Sequence, residues 1–173
     1  MDDSRRVLAV DPGFDRIGVA ILEKPARPDG SGHSGGDKVL FSDCIETSRQ
    51  LAHSKRLLEI STSIRKIIKR WKPTSLAIET LFFNQNTTNA LKVSEARGVI
   101  ICEAEQAGLE VYEYSPQAVK IAVTGYGKAD KTQMANMVKK LVNLGEKSSK
   151  RLDDEIDAIA VGITHLASRK DKY

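Results

Sequence analysis

The sequence has few cysteines and lacks any long apolar run. Its two cysteines, Cys44 and Cys102, lie in apolar or mixed segments, which favours buried free thiols in a reducing compartment over a disulfide. It contains no stretch of about twenty apolar residues, so we expect no membrane span. The first residues, MDDSRRVLAV, carry charges and no signal-peptide core. These absences predict a cytoplasmic protein without membrane contact.

The sequence also lacks a strong excess of either charge. Its formal net charge is +4, which is compatible with nucleic-acid binding but does not establish it. Basic residues gather near the C-terminus, where a solvated helix face and a phosphate-facing surface explain them equally well: Lys139, Lys140, Lys147, Lys150, Arg151, Arg169, Lys170 and Lys172.

No repeat or linker divides the chain. Its 173 residues are enough for one domain with a sizeable core, so we expect a single domain over residues 1–173. Residues 25–37 are rich in Pro, Gly and Ser, and we predict a flexible hairpin loop there.

The hydrophobic pattern predicts five strands and several helices. We expect strands at 5–10 and 17–22, in KVLFSDCIET, in SLAIE and in LEVYEYSP. We expect helices at 54–71, 88–107, 131–144 and 151–168, and another that opens at Ser115-Pro116. Lys72 and Pro73 should end the first helix. An antiparallel meander joined to parallel βα units gives an α/β fold, a mixed five-stranded sheet with helices on both faces.

Two of the predicted buried strands end on carboxylates. Asp11 follows VLAV and Glu79 follows LAI, and strand ends are where sites form in open α/β sheets. In the last helix Asp154 and Asp157 are three residues apart and share a face, and Asp153 could replace Asp154 in this role. Clustered carboxylates repel one another unless a cation neutralises them. Oxygen ligands without a Cys or His cluster indicate Mg²⁺, or Mn²⁺ as a substitute, and several carboxylates can hold two such ions.

Each acidic residue also has a simpler explanation. Asp11 could be a turn residue before Pro12-Gly13, and Glu79 a solvated strand end. Asp153 and Asp154 could lie near the start of the last helix because their negative charges interact favourably with the helix dipole there. Asp157 is harder to explain in this way, because it interrupts an apolar stripe. Taken together, the four acids favour a metal site, although spacing alone does not decide between the two interpretations.

Five blocks of sequence resemble the bacterial RuvC family of Holliday junction resolvases, which belong to the ribonuclease H-like superfamily. In order they are VDPGFDRIGVAI, LAIETLFF, NALKVSEARGVI, VYEYSPQAVKIAVTGYGKADKTQM and DDEIDAIAVGITH. They span nearly the whole chain. The resemblance implies a ribonuclease H-like fold and a metal-dependent endonuclease.

The resemblance also implies roles for individual residues. It matches these four acids to the catalytic, metal-binding set: Asp11, Glu79, Asp154 and Asp157. The Asp154 position is histidine in some relatives. Phe82 matches an aromatic that contacts bases, and the neighbouring Phe83 could take that role instead. Lys120 and Lys131 match basic residues that act on the DNA backbone. We interpret the loop GYGKADKT, with Lys128, as a further basic contact to DNA.

The family resemblance further implies a homodimer that nicks two opposed strands of a four-way junction symmetrically and leaves 5′-phosphates. Residues 90–104 resemble the helix that builds the dimer interface. RuvA and RuvB, the branch-migration complex, are the expected partners in recombination and repair.

Two alternatives belong to other functional classes. The D-P-G turn before a β-hairpin also serves actin-like nucleotide-binding proteins, but those need a second lobe that this chain is too short to supply. A non-catalytic junction-binding module is the other. Against it, a protein that only binds a polyanion gains nothing from clustered acids.

Overall fold

A computed structural model describes residues 5–25, 36–81, 87–145 and 151–168 of the chain. Phe82 and Phe83 lie outside the described residues, as does most of the predicted loop at 25–37. The same holds for five of the C-terminal basic residues, namely Lys147, Lys150, Arg169, Lys170 and Lys172.

The strands form one mixed five-stranded sheet, as the sequence predicted. They are β1 (Arg5–Asp11), β2 (Arg16–Lys24), β3 (Lys38–Glu46), β4 (Ser75–Glu79) and β5 (Glu110–Tyr114). Their order is β3-β2-β1-β4-β5. The first three strands pair antiparallel, and β4 and β5 extend the sheet in parallel from β1. The meander and the parallel βα units therefore meet at β1.

Helices cover both faces of this sheet. They are α1 (His53–Trp71), α2 (Thr87–Gln106), α3 (Pro116–Thr124), α4 (Lys131–Leu141) and α5 (Asp153–Ser168). The first two pack on one face and the other three on the opposite face. The predicted α/β fold is confirmed. In the part of the chain that the structure describes, no helix has the length and apolar character needed to span a bilayer.

Strand β1 lies at the centre of the protein and is buried on both faces. Its residues alternate, so that Val7 and Ala9 join the core under α5, and Leu8 and Val10 join the core under α1. All four are 0% exposed. Burying a large aliphatic side chain contributes about 1.5–3 kcal/mol, so the strand is firmly held up to its last residue, Asp11.

Helix ends follow the expected local chemistry. The backbone N–H of Ala118 donates to Ser115 Oγ at 3.1 Å, so the predicted cap and proline do open α3. Asp130 and Gln133 form a capping box at the start of α4. Lys72 ends α1 in the left-handed conformation at φ 49°.

The prediction that α4 extends to residue 144 is wrong. The helix ends at Leu141, because the chain leaves it to pair with the edge of the sheet. The N–H of Val39 donates to Asn143 O at 2.9 Å, and the N–H of Asn143 donates to Asp37 O at 3.0 Å. The last helix, α5, begins at Asp153 rather than at residue 151.

Helix α2 buries a narrow apolar stripe against the sheet. Small and branched side chains at four-residue spacing, Ala96, Ile100 and Ala104, form its buried stripe. Cys102 lies off this stripe and is exposed, while Leu91 is 63% exposed. Both cysteines are free thiols, as expected, but the prediction that they are buried is wrong for Cys102 and only partly met by Cys44.

Gly18 in β2 allows the N-terminal end of α5 to approach the sheet closely. A Cβ atom built on Gly18 would lie 1.8 Å from the backbone oxygen of Asp154, closer than any real contact. Only a residue without a side chain fits between this strand and the first turn of the helix. Gly18 therefore fixes how near Asp154 and Asp157 come to the end of β1.

We predict that Gly18→Ala lowers the free energy of unfolding by about 1–3 kcal/mol, because backbone must shift to admit the methyl group. Urea unfolding followed by circular dichroism measures the change. Gly36→Ala is the matched control, since a Cβ at Gly36 meets nothing within 4 Å. Equal stability of the two variants would contradict the close approach.

Candidate active site

The carboxyl ends of β1 and β4 place Asp11 and Glu79 side by side. These strands are parallel neighbours, and their register pairs Val10 with Ile78, the residues just before the two acids. Both acids therefore lie at the same end of the sheet, the carboxyl end of its parallel strands, as the sequence predicted. Asp11 also pairs across the sheet with Gly18 of β2, where α5 comes close.

Helix α5 places Asp157 at the same end of the sheet, where it lines a cavity of about 300 Å³ together with Asp11 and Glu79. The charged residues of its wall are Asp11, Glu79, Lys120, Asp130, Lys131 and Asp157. The remaining wall is mostly apolar and consists of Pro116, Val119, Ala129, Met134 and Ala160. Three of the four acids expected from the sequence thus meet in one cavity, with both of the expected lysines.

The carboxylates in this cavity hold their protons unusually tightly. Burial is the main cause that raises the pKa of Asp11 to about 8, followed by the charges of Glu79 and Asp157. Burial, with the charge of Asp157, likewise raises the pKa of Glu79 to about 7. The pKa of Asp157 is also raised, mainly by burial. At neutral pH the metal-free site therefore retains protons.

The two lysines of the cavity wall act against this effect. The charge of Lys131 lowers the pKa of Asp11 and of Asp157, and the charge of Lys120 lowers the pKa of Glu79 and of Asp157. Lys128 does not line the cavity; it is exposed on the loop between α3 and α4. The cavity thus has an acidic centre with positive charge beside it.

Asp154 stands beside the cavity rather than in its wall. Its Oδ2 is 2.7 Å from Arg16 Nη2 in an ion pair that the sequence did not reveal. The charge of Asp154 nevertheless raises the pKa of both Asp11 and Asp157, whereas that of Asp153 raises the pKa of Asp157. The assignment of Asp154 as a ligand stays a prediction, and so does the choice between it and Asp153.

The donor chemistry of the cavity fits a hard divalent cation. Its acids offer only carboxylate oxygens, and they repel one another in partly buried positions. Cys44 Sγ lies 3.9 Å from Asp154 Oδ2, but burial raises the pKa of this thiol and keeps it protonated. Within the described residues, no three or more His, Cys, Asp or Glu side chains stand close enough as placed to hold a metal ion. Only a change in their side-chain positions would let the carboxylates share one.

Arg97 of α2 fixes the end of β4, a function that the sequence did not reveal. Its Nε donates to the backbone oxygen of Glu79 at 3.2 Å, and its Nη2 pairs with Glu113 on the neighbouring strand. Arg97 is partly buried in this position.

We predict that Asp11→Asn stabilises the metal-free protein more at pH 8 than at pH 5. Folded Asp11 keeps its proton up to its raised pKa of about 8, whereas the unfolded carboxyl loses it near the ordinary value of 3.8. The folded wild-type protein therefore loses stability relative to its unfolded chain as pH rises toward 8. Asparagine does not titrate, so the variant does not lose this stability. Thermal unfolding in chelator should show a gain of several degrees at pH 8.

Glu59→Gln is the control for this experiment, because Glu59 is an exposed carboxylate on α1. It should change the melting temperature equally at both pH values. A pH-independent gain for Asp11→Asn would contradict the raised pKa.

Comparison with known proteins identifies the family to which the chain belongs. Residues 7–165 match the family model described as crossover junction endodeoxyribonuclease RuvC. The RuvC protein of Caldicellulosiruptor saccharolyticus is 44% identical over 94% of this chain and 93% of its own length. That of Moorella thermoacetica is 42% identical over 93% of this chain and 90% of its own.

Solved structures agree as well. The structure of Thermus thermophilus RuvC in complex with a Holliday junction substrate has a TM-score of 0.80 and 30% identity, and covers 94% of this chain and 93% of that one. The yeast mitochondrial resolvase Ydc2 shares the fold at a TM-score of 0.61 and 14% identity, over 92% of this chain and 78% of its own. The family resemblance is confirmed: the chain belongs to the RuvC family of crossover junction endodeoxyribonucleases.

Proposed function

We propose that this protein is a metal-dependent endonuclease that resolves four-way DNA junctions by paired, symmetric nicks. The observation that carries the proposal is a single cavity lined by three acids and two lysines: Asp11, Glu79, Asp157, Lys120 and Lys131. Membership in the RuvC family supports the same activity, and a relative of 30% identity has been solved with a Holliday junction substrate.

The cavity residues divide into those that hold cations and those that face the phosphate. Asp11, Glu79 and Asp157, with Asp154 beside them, would hold Mg²⁺ or Mn²⁺, and their charge suits two ions. Such ions supply an activated water and stabilise the leaving oxygen of a phosphodiester. The chain's own part is to keep these carboxylates at the ends of buried elements, so that a change in side-chain position alone brings them to a shared cation.

Lys120 and Lys131 face the charge that grows on the phosphate during cleavage. Both ammonium groups lower the pKa of Asp157, so they act on the same small volume. Water adds to phosphorus while the bond to the 3′ oxygen breaks, which gives a 3′-hydroxyl and a 5′-phosphate. Positive charge close to the phosphate stabilises this transition state, so both lysines should affect the rate of cleavage.

Junction selectivity requires two sites that act together. We propose a homodimer through α2, within residues 90–104, and the 63% exposure of Leu91 on that helix supports an interface there. Phe82 remains the proposed base contact, with Phe83 as its alternative. RuvA and RuvB are the proposed partners, and the cytoplasm, where bacterial DNA lies, is the proposed location.

The two other functional classes are less well supported. Intact acids at the cavity argue against a protein that only binds junctions, because carboxylates repel a phosphate backbone unless cations intervene. Nucleotide binding of the actin-like type needs a second lobe, and the RuvC family model accounts for residues 7–165 without one.

We predict that the purified protein, given Mg²⁺ or Mn²⁺, nicks a labelled four-way junction symmetrically and leaves a linear duplex of the same sequence intact. Chelator should abolish the nicks. Asp11→Asn should keep the fold and junction binding. It should lower the nicking rate by about 100-fold or more, because loss of a group that only hydrogen-bonds to a metal ligand already costs up to about 100-fold. Gel analysis of both labelled strands measures these outcomes.

Glu59→Gln is the matched control in this assay and should cut at the wild-type rate. Retained cleavage by Asp11→Asn at saturating Mg²⁺ would remove Asp11 from the site. Tight junction binding without nicks under every metal would favour the binding module, and thermal stabilisation by ATP would favour the nucleotide-binding class.

A further inference from the structure

The loop between α3 and α4 presents an exposed aromatic side chain beside the cavity. Tyr126 is 57% exposed, and Ile121 on the preceding helix is 50% exposed. Proteins that bind single-stranded nucleic acid combine exposed aromatic side chains, on which bases stack, with nearby basic residues. None of the roles assigned above uses Tyr126.

The backbone under Tyr126 is firmly held. Its N–H donates to Thr124 Oγ1 at 3.1 Å, and its carbonyl accepts the N–H of Ala129 at 3.2 Å. Gly125 ends α3 in the left-handed conformation at φ 74°. A Cβ on Gly127 would lie 3.3 Å from the side chain of Ile121, so the loop packs directly on α3. The tyrosine is therefore presented on a fixed support.

The position of this loop relates Tyr126 to the proposed substrate. Ala129, whose N–H donates to the Tyr126 carbonyl, lines the cavity together with Lys120 and Lys131. Lys128 is exposed on the same loop. Lysines on the cavity wall and an exposed aromatic residue on the adjoining loop suit a polyanion that also carries flat apolar surfaces, and a nucleic-acid strand has both properties.

We propose that Tyr126 stacks on a DNA base that is unpaired or unstacked next to the cut strand. In a continuous duplex each base face is covered by its neighbours, so the tyrosine has nothing to stack on. At the crossover of a four-way junction this stacking is interrupted. Tyr126 is then an aromatic contact that recognises junctions, additional to the contact proposed for Phe82, and this inference rests on the proposed function.

Binding measured in chelator, where no cutting occurs, tests the proposal. The junction carries 2-aminopurine at the crossover, and a linear duplex of the same sequence is compared. Tyr126→Ala should bind the junction about 5- to 150-fold more weakly, the range for loss of one stacked base, and leave duplex binding unchanged. Tyr126→Phe should restore binding, because it keeps the ring. Wild type and Tyr126→Phe should quench 2-aminopurine emission, and Tyr126→Ala should not.

Lys128→Gln serves as the comparison, since loss of a phosphate contact should weaken junction and duplex alike and reduce the salt dependence. If wild type prefers the junction and Tyr126→Ala binds it equally well, the stacking proposal alone is wrong. Equal weakening on junction and duplex, or failure of Tyr126→Phe to restore binding, also overturns it. If wild type does not distinguish junction from duplex, the proposed function fails and the stacking proposal with it.

Discussion

The burial of neighbouring carboxylates at the ends of β1, β4 and α5 is the constraint on which the site depends. Burial and neighbouring charge raise the pKa of Asp11 to about 8 and that of Glu79 to about 7, so their charged forms are unfavourable without a cation. Only a stiff scaffold can hold such groups together. Strand β1 is buried by helices on both faces, Arg97 fixes the end of β4, and Gly18 lets α5 approach the sheet.

The same arrangement assigns cation binding and phosphate binding to different residues, and a structure-selective nuclease needs both. The acidic centre of the cavity suits cations, while Lys120 and Lys131 on its wall and Lys128 on the adjoining loop suit phosphates. Phosphate contacts alone cannot distinguish a junction from a duplex, because both present the same backbone. Shape, through two sites in a dimer, and exposed bases, through aromatic side chains, would provide that distinction.

Features of the fold that depend on neighbouring residues along the chain were predictable from local sequence patterns. The apolar run before Asp11, the run before Glu79 and the apolar stripe around Asp157 were enough to place the sheet and three of its acids. Contacts between distant segments were not predictable in this way. The Arg16–Asp154 pair exists because β2 and α5 meet at Gly18, and α4 ends early because Asn143 pairs with the edge of β3. The exposure of Cys102 likewise depends on which stripe of α2 meets the sheet.

A divalent cation that enters this cavity at neutral pH must displace the protons that the carboxylates hold. Calorimetric titration of the protein with Mg²⁺ at pH 7, in two buffers of different ionisation enthalpy, measures this exchange directly. We expect release of about one proton or more for each site filled, and a smaller release for Asp11→Asn. Mg²⁺ binding with no buffer dependence would contradict this exchange, since the carboxylates would then be ionised before the cation arrives.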